Sequence, residues 1–351
     1  MPFFCIQCRM QKIIAQIHLG NIRRNAEYFK EKTGARLCAV VKANAYGHGA
    51  EEVTLALADI ADCFAVALVD EGLAIRAAAC GKDILIFAPP ISEEEAYTIA
   101  VNGFIATVPD LWTAKLLCRV CEQYRLKARV HLKVNTGMNR YGMNASMLGK
   151  VCRFLCGKAQ VQVEGVYSHL YEQTEESARA QLSLYCNMQR ICKGYFPTFL
   201  SHLSATYGAT LGQDFAFDMV RVGLGLYGYA PTGELPLQKA MTIKARVSTN
   251  RKFSYGGIGY GEKADYHGKI CVVRGGYADG FLRKKGNGTA GSENNLNNLC
   301  MDVCLRSGNQ RRGSWIPLLT DAEKTAQETD TITYEVLCAS TKRAEFVYDY
   351  D

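Results

Sequence analysis

Lys42 follows the short apolar run Leu37–Val41 and opens the loop of AVVKANAYGHG, residues 39–49. An amine at the end of a strand is a candidate nucleophile toward a carbonyl carbon, but only in its neutral form. Partial burial and cationic neighbours would favour that form by lowering its pKa. Tyr46, Gly47 and Gly49 place an aromatic hydroxyl and a tight turn beside the amine. The plain alternative is an exposed lysine at a strand end. Of the fifteen cysteines, Cys5 with Cys8 and Cys118 with Cys121 have the spacing of half a zinc site. The two pairs are far apart in the chain and the second falls in an amphipathic pattern, so no metal site is expected.

The elements that must position Lys42 can be read from periodicity. Leu19, Ile22, Ala26 and Phe29 recur at helical spacing between His18 and Gly34, and Gly34 offers a stop. Strand Leu37–Val41, loop Asn44–Gly49 and a helical pattern over Glu51–Ala61 follow. The unit then repeats, with strands expected at Phe64–Leu68, Ile84–Phe87, Phe104–Thr107, Val130–Val134, Val161–Tyr167, Phe199–Leu203 and Met219–Gly223. Eight short apolar strands alternating with helices imply a parallel sheet, and over about two hundred residues a closed (β/α)8 barrel of the TIM type. A doubly wound open sheet is the alternative, and no Gly-rich dinucleotide fingerprint follows the first strand to support it. In such a barrel the site lies at the carboxyl ends of the strands, where Lys42 falls. Beyond Tyr227 the alternation stops. Ile243–Val247, Ile270–Val273 and Thr331–Leu337 read as strands. The division expected is therefore a barrel over 1–233, with 1–11 as an extension, and a β-rich domain over 234–351. The polar stretch 286–298 reads as a flexible loop.

Composition narrows the function class. The chain has 351 residues, 48% hydrophobic and 21% charged, enough to bury a sizeable core. Its net charge of +7 is spread along the chain without a basic stripe flanked by aromatics, which argues against nucleic acid and leaves anionic small molecules as partners. No apolar run reaches the ~18 residues of a spanning helix, the opening MPFFCIQCRM lacks a basic leader, and the cysteines sit in apolar stretches. A cytoplasmic location without membrane contact is expected.

AVVKANAYGHG closely resembles the pyridoxal-phosphate motif of alanine racemases, nearly completely over its eleven positions. HLKVNTGMNRYGM (131–143), GVYSHL (165–170), DMVRVGLGLYG (218–228), GYADG (276–280), CMD (300–302) and TITYEVLC (331–338) follow in that family's order. The resemblance implies a barrel followed by a β domain. It further implies a fold-type III enzyme that uses pyridoxal 5'-phosphate to interconvert L- and D-alanine and supplies D-alanine for peptidoglycan. By motif position, Lys42 resembles the lysine that carries the cofactor as a Schiff base and acts as one base. Tyr46, Thr206, Tyr334 and the amides of Gly223 and Leu224 resemble the phosphate ligands. Arg221 is similar to the arginine facing the pyridine nitrogen, and His169 to the histidine that bonds it. Arg140 resembles the arginine that meets the substrate carboxylate, and Lys133 the lysine that is carbamylated in many members. Racemisation removes a proton from one face of a planar carbon and delivers one to the other, so a second base is needed. Tyr260, in IGYGEK, resembles that base, which in the family enters from the partner subunit; Met301 would line the substrate side of the same composite site. A homodimer is therefore implied.

The sequence departs from the family pattern at Thr206, where a serine is usual, at Asn135 for an aspartate and at Val303 for a glutamine. Serine racemisation by the same family is the nearest rival reading. A non-catalytic pyridoxal-phosphate protein of cofactor homeostasis would lack the β-domain motifs. A basic amino-acid decarboxylase would carry a glutamate in place of Arg221.

Overall fold

A computed structural model describes residues 13–231, 233–260, 266–283 and 299–350. The polar stretch 286–298, the Cys5 and Cys8 pair and the 1–11 extension lie outside the described residues.

Eight parallel strands form one sheet: β2 (Arg36–Val40), β3 (Cys63–Val66), β4 (Asp83–Ile86), β5 (Ile105–Val108), β6 (Ala128–Lys133), β7 (Val161–Tyr167), β8 (Leu200–His202) and β9 (Met219–Val222). Their order is β8-β7-β6-β5-β4-β3-β2-β9. The ends meet through Asp218 N–H on Ser201 O (3.1 Å) and Arg221 N–H on Ser204 O (2.9 Å), which leaves the barrel nearly closed. Strands such as CFAV and IATV are buried at every residue, as a sheet covered on both faces requires. The intervening helices start where a short polar side chain can accept an orphan amide. Ser92 accepts from Glu95, Asp110 from Thr113, Asn144 from Met147 and Thr174 from Ser177. Each such cap contributes about 1 kcal/mol.

At the amino ends of the strands, Arg129 of β6 donates to Asp83 of β4 (2.9 Å) and to Glu164 of β7 (2.9 Å), tying strands on both sides of its own. A cleft of about 870 Å³ lined by Arg36, Asp83, Arg129, Glu164 and Phe199 opens there, at the end remote from Lys42. The Arg129 hydrogen bond holds the Asp83 carboxyl below its usual range. A depressed carboxylate pKa stabilises the fold above the unfolded value and ceases to do so as pH falls through the folded one. All three side chains are partly solvated, so Arg129→Met should cost only about 1–2 kcal/mol at pH 7. The difference from the parent chain should shrink near pH 3. Urea denaturation at both pH values checks this, and an equal difference at both would contradict it.

The second sheet holds β1 (Ile13–His18), β10 (Met241–Lys252), β11 (Lys269–Arg274), β12 (Val303–Ser307), β13 (Trp315–Leu319) and β14 (Glu345–Asp349). Its order is β12-β11-β10-β1-β14, with β13 also on β10. Two differences from the sequence reading stand out. First, β1 is a strand of this sheet, antiparallel to β10 and parallel to β14, although it lies within the segment expected to form the barrel. By compactness the chain divides into residues 22–45 and 50–238 on one side, and described residues 13–21, 46–49 and 239–350 on the other. Second, Thr331–Leu337 is not a strand. Thr333–Ala339 is a helix that buries Val336 and Leu337. Its β-branched and aromatic residues favour a strand only weakly, and burial of one helical face overrides that preference.

Candidate functional site

The residues singled out in the barrel unit converge on the carboxyl ends of its strands. Lys42 follows β2, Lys133 ends β6, Arg140 lies in the loop after it, His169 follows β7, Thr206 follows β8, and Arg221 to Leu224 complete β9 and the turn beyond. Their charges meet at His169. Burial first, then Arg221, Lys133, Arg140 and Lys42, hold its imidazole well below its usual pKa and hence neutral. Lys133, buried, is likewise driven well below the usual lysine value by desolvation, Arg221 and Arg140, which favours its neutral amine.

Lys42 begins a segment of unusual backbone. Residues 42–47 coil into a single turn in which Ala43, Asn44, Ala45 and Tyr46 have φ of 52°, 53°, 54° and 53°. Four successive non-glycine residues are thus in the left-handed region, at roughly 1–2 kcal/mol each. The sequence reading places only a loop here. Three fixed acceptors hold it in the barrel unit: Ala45 N–H donates to Val41 O (2.9 Å), Ala43 N–H to Glu71 Oε1 (2.7 Å) and Ala50 N–H to Asn44 Oδ1 (2.8 Å). Glu71 also accepts from Ala67 N–H (2.7 Å) and Leu68 N–H (3.0 Å), so one carboxylate ties the turn after β2 to the loop after β3. Sequence reasoning missed Glu71. Its position three residues into a helix that follows a strand is the signal that could have marked it.

Arg221 is 2% exposed and, among the described residues, has no carboxylate partner. Its guanidinium donates instead to neutral acceptors: Nη1 to His202 Nδ1 (2.8 Å), Nη2 to Ser168 O (2.7 Å) and Leu203 O (2.9 Å), with His169 Nδ1 at 3.4 Å. His202, whose signal lay in HLSATYG, and Tyr167, whose ring stacks on it at 4.8 Å, were also missed. Thr206 accepts from Gly225 N–H (3.1 Å) and keeps its own proton to donate. Gly223 and Leu224 open the 3-10 turn Leu224–Tyr227, ahead of its first internal bond from Leu226 N–H to Gly223 O. Their amides lie where such a turn leaves donors for an anion. The loop bearing Arg140 is knotted by Asn135. Its Oδ1 accepts from Gly137 (3.0 Å) and Asn139 (3.2 Å), the task open to the usual aspartate, without adding a negative charge. Among the described residues the Arg140 guanidinium has no hydrogen bond or ion pair.

In the β-rich unit, Tyr46 and Tyr334 form a ring pair at 5.7 Å. Burial, Tyr334 and Cys338 push the Tyr46 hydroxyl well above its usual pKa, and burial raises that of Tyr334, so both are neutral donors. Tyr260 and Met301 are exposed, at 65% and 53%.

The described donors fit pyridoxal phosphate. Turn amides and hydroxyls suit its phosphate, and a buried cation without an acid suits an unprotonated ring nitrogen.

The chain matches the family model for the alanine racemase N-terminal domain over residues 17–231 and that for the C-terminal domain over 240–348. It belongs to the alanine racemase family. The alanine racemase of Lactobacillus delbrueckii subsp. bulgaricus is 30% identical, over 95% of this chain and 96% of its own length. That of Lactobacillus gasseri is 29% identical, over 96% and 98%. Among solved structures, alanine racemase of Clostridium difficile superposes with a TM-score of 0.89 at 28% identity, covering 97% of this chain and 96% of that one. Alanine racemase of Bartonella henselae, solved with covalently bound pyridoxal phosphate, gives 0.86 at 26%, covering 97% and 100%. The motifs that carry the resemblance fall within the matched alanine racemase domains.

Proposed function

We propose that this chain is a pyridoxal-phosphate-dependent alanine racemase acting through Lys42 and Tyr260. The observation that carries the reading is Arg221, a buried cation bonded only to neutral acceptors. Pyridoxal phosphate, when bound, supplies the carbonyl carbon that takes up the amino acid and the ring that acidifies its α-hydrogen. The chain's own residues do the rest. The Lys42 amine holds the cofactor and moves a proton on one face of the α-carbon. The Tyr260 hydroxyl of the partner subunit does so on the other, in a homodimer whose sites are composite. Arg140 holds the substrate carboxylate, with Met301 lining the substrate side. Thr206, the amides of Gly223 and Leu224, Tyr46 and Tyr334 bind the phosphate.

Arg221 would donate to the ring nitrogen of the bound cofactor but cannot surrender a proton to it, so the ring would serve as a weak electron sink. That limit favours racemisation over decarboxylation or transamination. Neutral His169 backs Arg221 without adding charge. Burial and the neighbouring Arg221 and Arg140 lower the Lys133 pKa, which favours the neutral amine that adds carbon dioxide with loss of a proton, and its carbamate would then orient Arg140.

The substrate is a small amino acid, alanine ahead of serine, as the match to both alanine racemase domains supports. The D-alanine made serves peptidoglycan. The site of action is the cytoplasm, consistent with the lack, among described residues, of a helix long and apolar enough to cross a membrane. A chiral assay of L-alanine and L-serine with added pyridoxal phosphate tests this. L-alanine should approach an equal mixture of enantiomers, with serine at least about tenfold slower, a factor within reach of one hydroxyl's fit in a tight pocket. Cofactor binding without turnover would favour a carrier, and faster serine turnover would overturn the substrate.

A further inference from the structure

Beneath Arg221 the hydrogen bonds continue into the barrel core. Arg221 Nη1, which can only donate, bonds His202 Nδ1 at 2.8 Å. His202 Nδ1 is thus bare, and in the neutral ring its proton resides on Nε2. That N–H donates to His131 Nδ1 at 2.9 Å, which puts the proton of neutral His131 on its own Nε2. The order is unique: were His131 protonated at Nδ1, both nitrogens of His202 would have to accept. Burial, Arg129 and Arg221 push His131 down to about 3, and His202 also lies well below its usual value, so neither ring is charged.

The chain of bonds ends badly. His131 Nε2 is buried and has no hydrogen-bond partner among the described residues. A core position satisfied by packing alone would hold a leucine or phenylalanine and avoid the orphan N–H. The site also restricts its neighbour across the sheet. A Cβ on Gly165 of β7, which pairs with His131, would lie 2.5 Å from the His131 ring and 2.6 Å from Nε2. The ring of His202 is held from its other side by Tyr167, stacked within 2° of parallel. Tyr167 is anchored in turn through its hydroxyl on Thr107 (2.7 Å).

We infer that His131 is a positioning residue, which through His202 fixes the direction in which Arg221 donates, and that Gly165 lacks a side chain to admit its ring. The inference rests on the reading that Arg221 faces the ring nitrogen. An acceptor at His131 Nδ1 locks His202 as the Nε2–H tautomer, which alone presents a bare nitrogen to Arg221. Without it, Arg221 alone favours that form, the buried His202 Nε2–H has no acceptor, and the ring is released to turn and present a different nitrogen to Arg221.

The test uses full-length protein labelled with 15N-histidine, whose six histidines can be assigned by replacement. His131→Asn sets an amide oxygen near the place of Nδ1, whereas His131→Phe keeps the bulk and removes the acceptor. Parent and His131→Asn should show His202 protonated at Nε2, and His131→Phe should lose that signature. With pyridoxal phosphate added, His131→Phe should racemise alanine at least about tenfold more slowly and His131→Asn within about threefold of the parent. Gly165→Ala, which displaces the ring from the backbone side, should behave as His131→Phe does and carries the comparison if the phenylalanine variant does not fold. Nδ1-protonated His202 in the parent overturns the inference. So does equal damage in both His131 variants, or tautomers and turnover that neither His131→Phe nor Gly165→Ala alters. The tautomers are read without substrate, so a parent that fails to racemise alanine would refute the proposed function while leaving the relay measurable.

Discussion

Lys42→Ala is expected to abolish covalent retention of pyridoxal phosphate and to lower alanine racemisation by more than about 10³-fold, since it removes both the covalent anchor and one of two bases. Borohydride reduction followed by denaturation reads the first effect, because only a cofactor joined to the chain remains with it. A chiral assay reads the second. The barrel should be indifferent: Lys42 stands at the strand end, outside the left-handed region, and its removal should alter stability by less than about 1 kcal/mol. Retention of cofactor and activity together would end the assignment.

Tyr260→Phe should slow racemisation by about 10²- to 10⁴-fold, the range for loss of a positioned acid or base. Enantiomers have equal free energy, so kcat/KM must remain equal in the two directions whatever the substitution. Asymmetry therefore has to be sought in exchange. One enantiomer should still trade its α-hydrogen for solvent deuterium, through Lys42, while the other does not. The partner's contribution can be isolated by mixing. In a heterodimer of Lys42→Ala and Tyr260→Phe, one site recovers both bases and the other has neither. Random reassociation then restores about one quarter of parental activity if sites are composite, and none if Lys42 and Tyr260 serve the same chain's site. Unchanged turnover in Tyr260→Phe, or exchange lost from both enantiomers, would remove Tyr260 from the mechanism.

The barrel was legible because parallel strands buried on both faces must be short apolar runs, and LCAV, CFAV and IATV can hardly be read otherwise. Strand β1 was not, for it runs into a helix at Leu19 with no residue between the two elements. The helix at Thr333 was hidden by residues with strand preferences. In the site, residues carried by motifs could be named from the sequence. Those defined by who bonds whom could not. His131 and His202 are seventy-one positions apart and become a pair only because β6, β7 and β8 lie side by side. Nor does the pattern of KANAYG announce a left-handed turn, since such a turn needs Glu71 from a later helix to hold it.

Strand β1 also dictates an order of events. It leaves the ribosome before any barrel strand, yet its antiparallel partner β10 begins at Met241 and its parallel partner β14 at Glu345. Throughout synthesis of the barrel, β1 is therefore an unpaired strand with Ile13, Ala15 and Ile17 on the face it will later bury. The sheet it belongs to can close only when the last residues arrive. A fragment ending at residue 233 would carry that sticky edge permanently, and one beginning at 234 would lack the strand between β10 and β14. Neither piece is a natural product of cutting this chain, and a nascent chain stalled between the two is the form most exposed to aggregation.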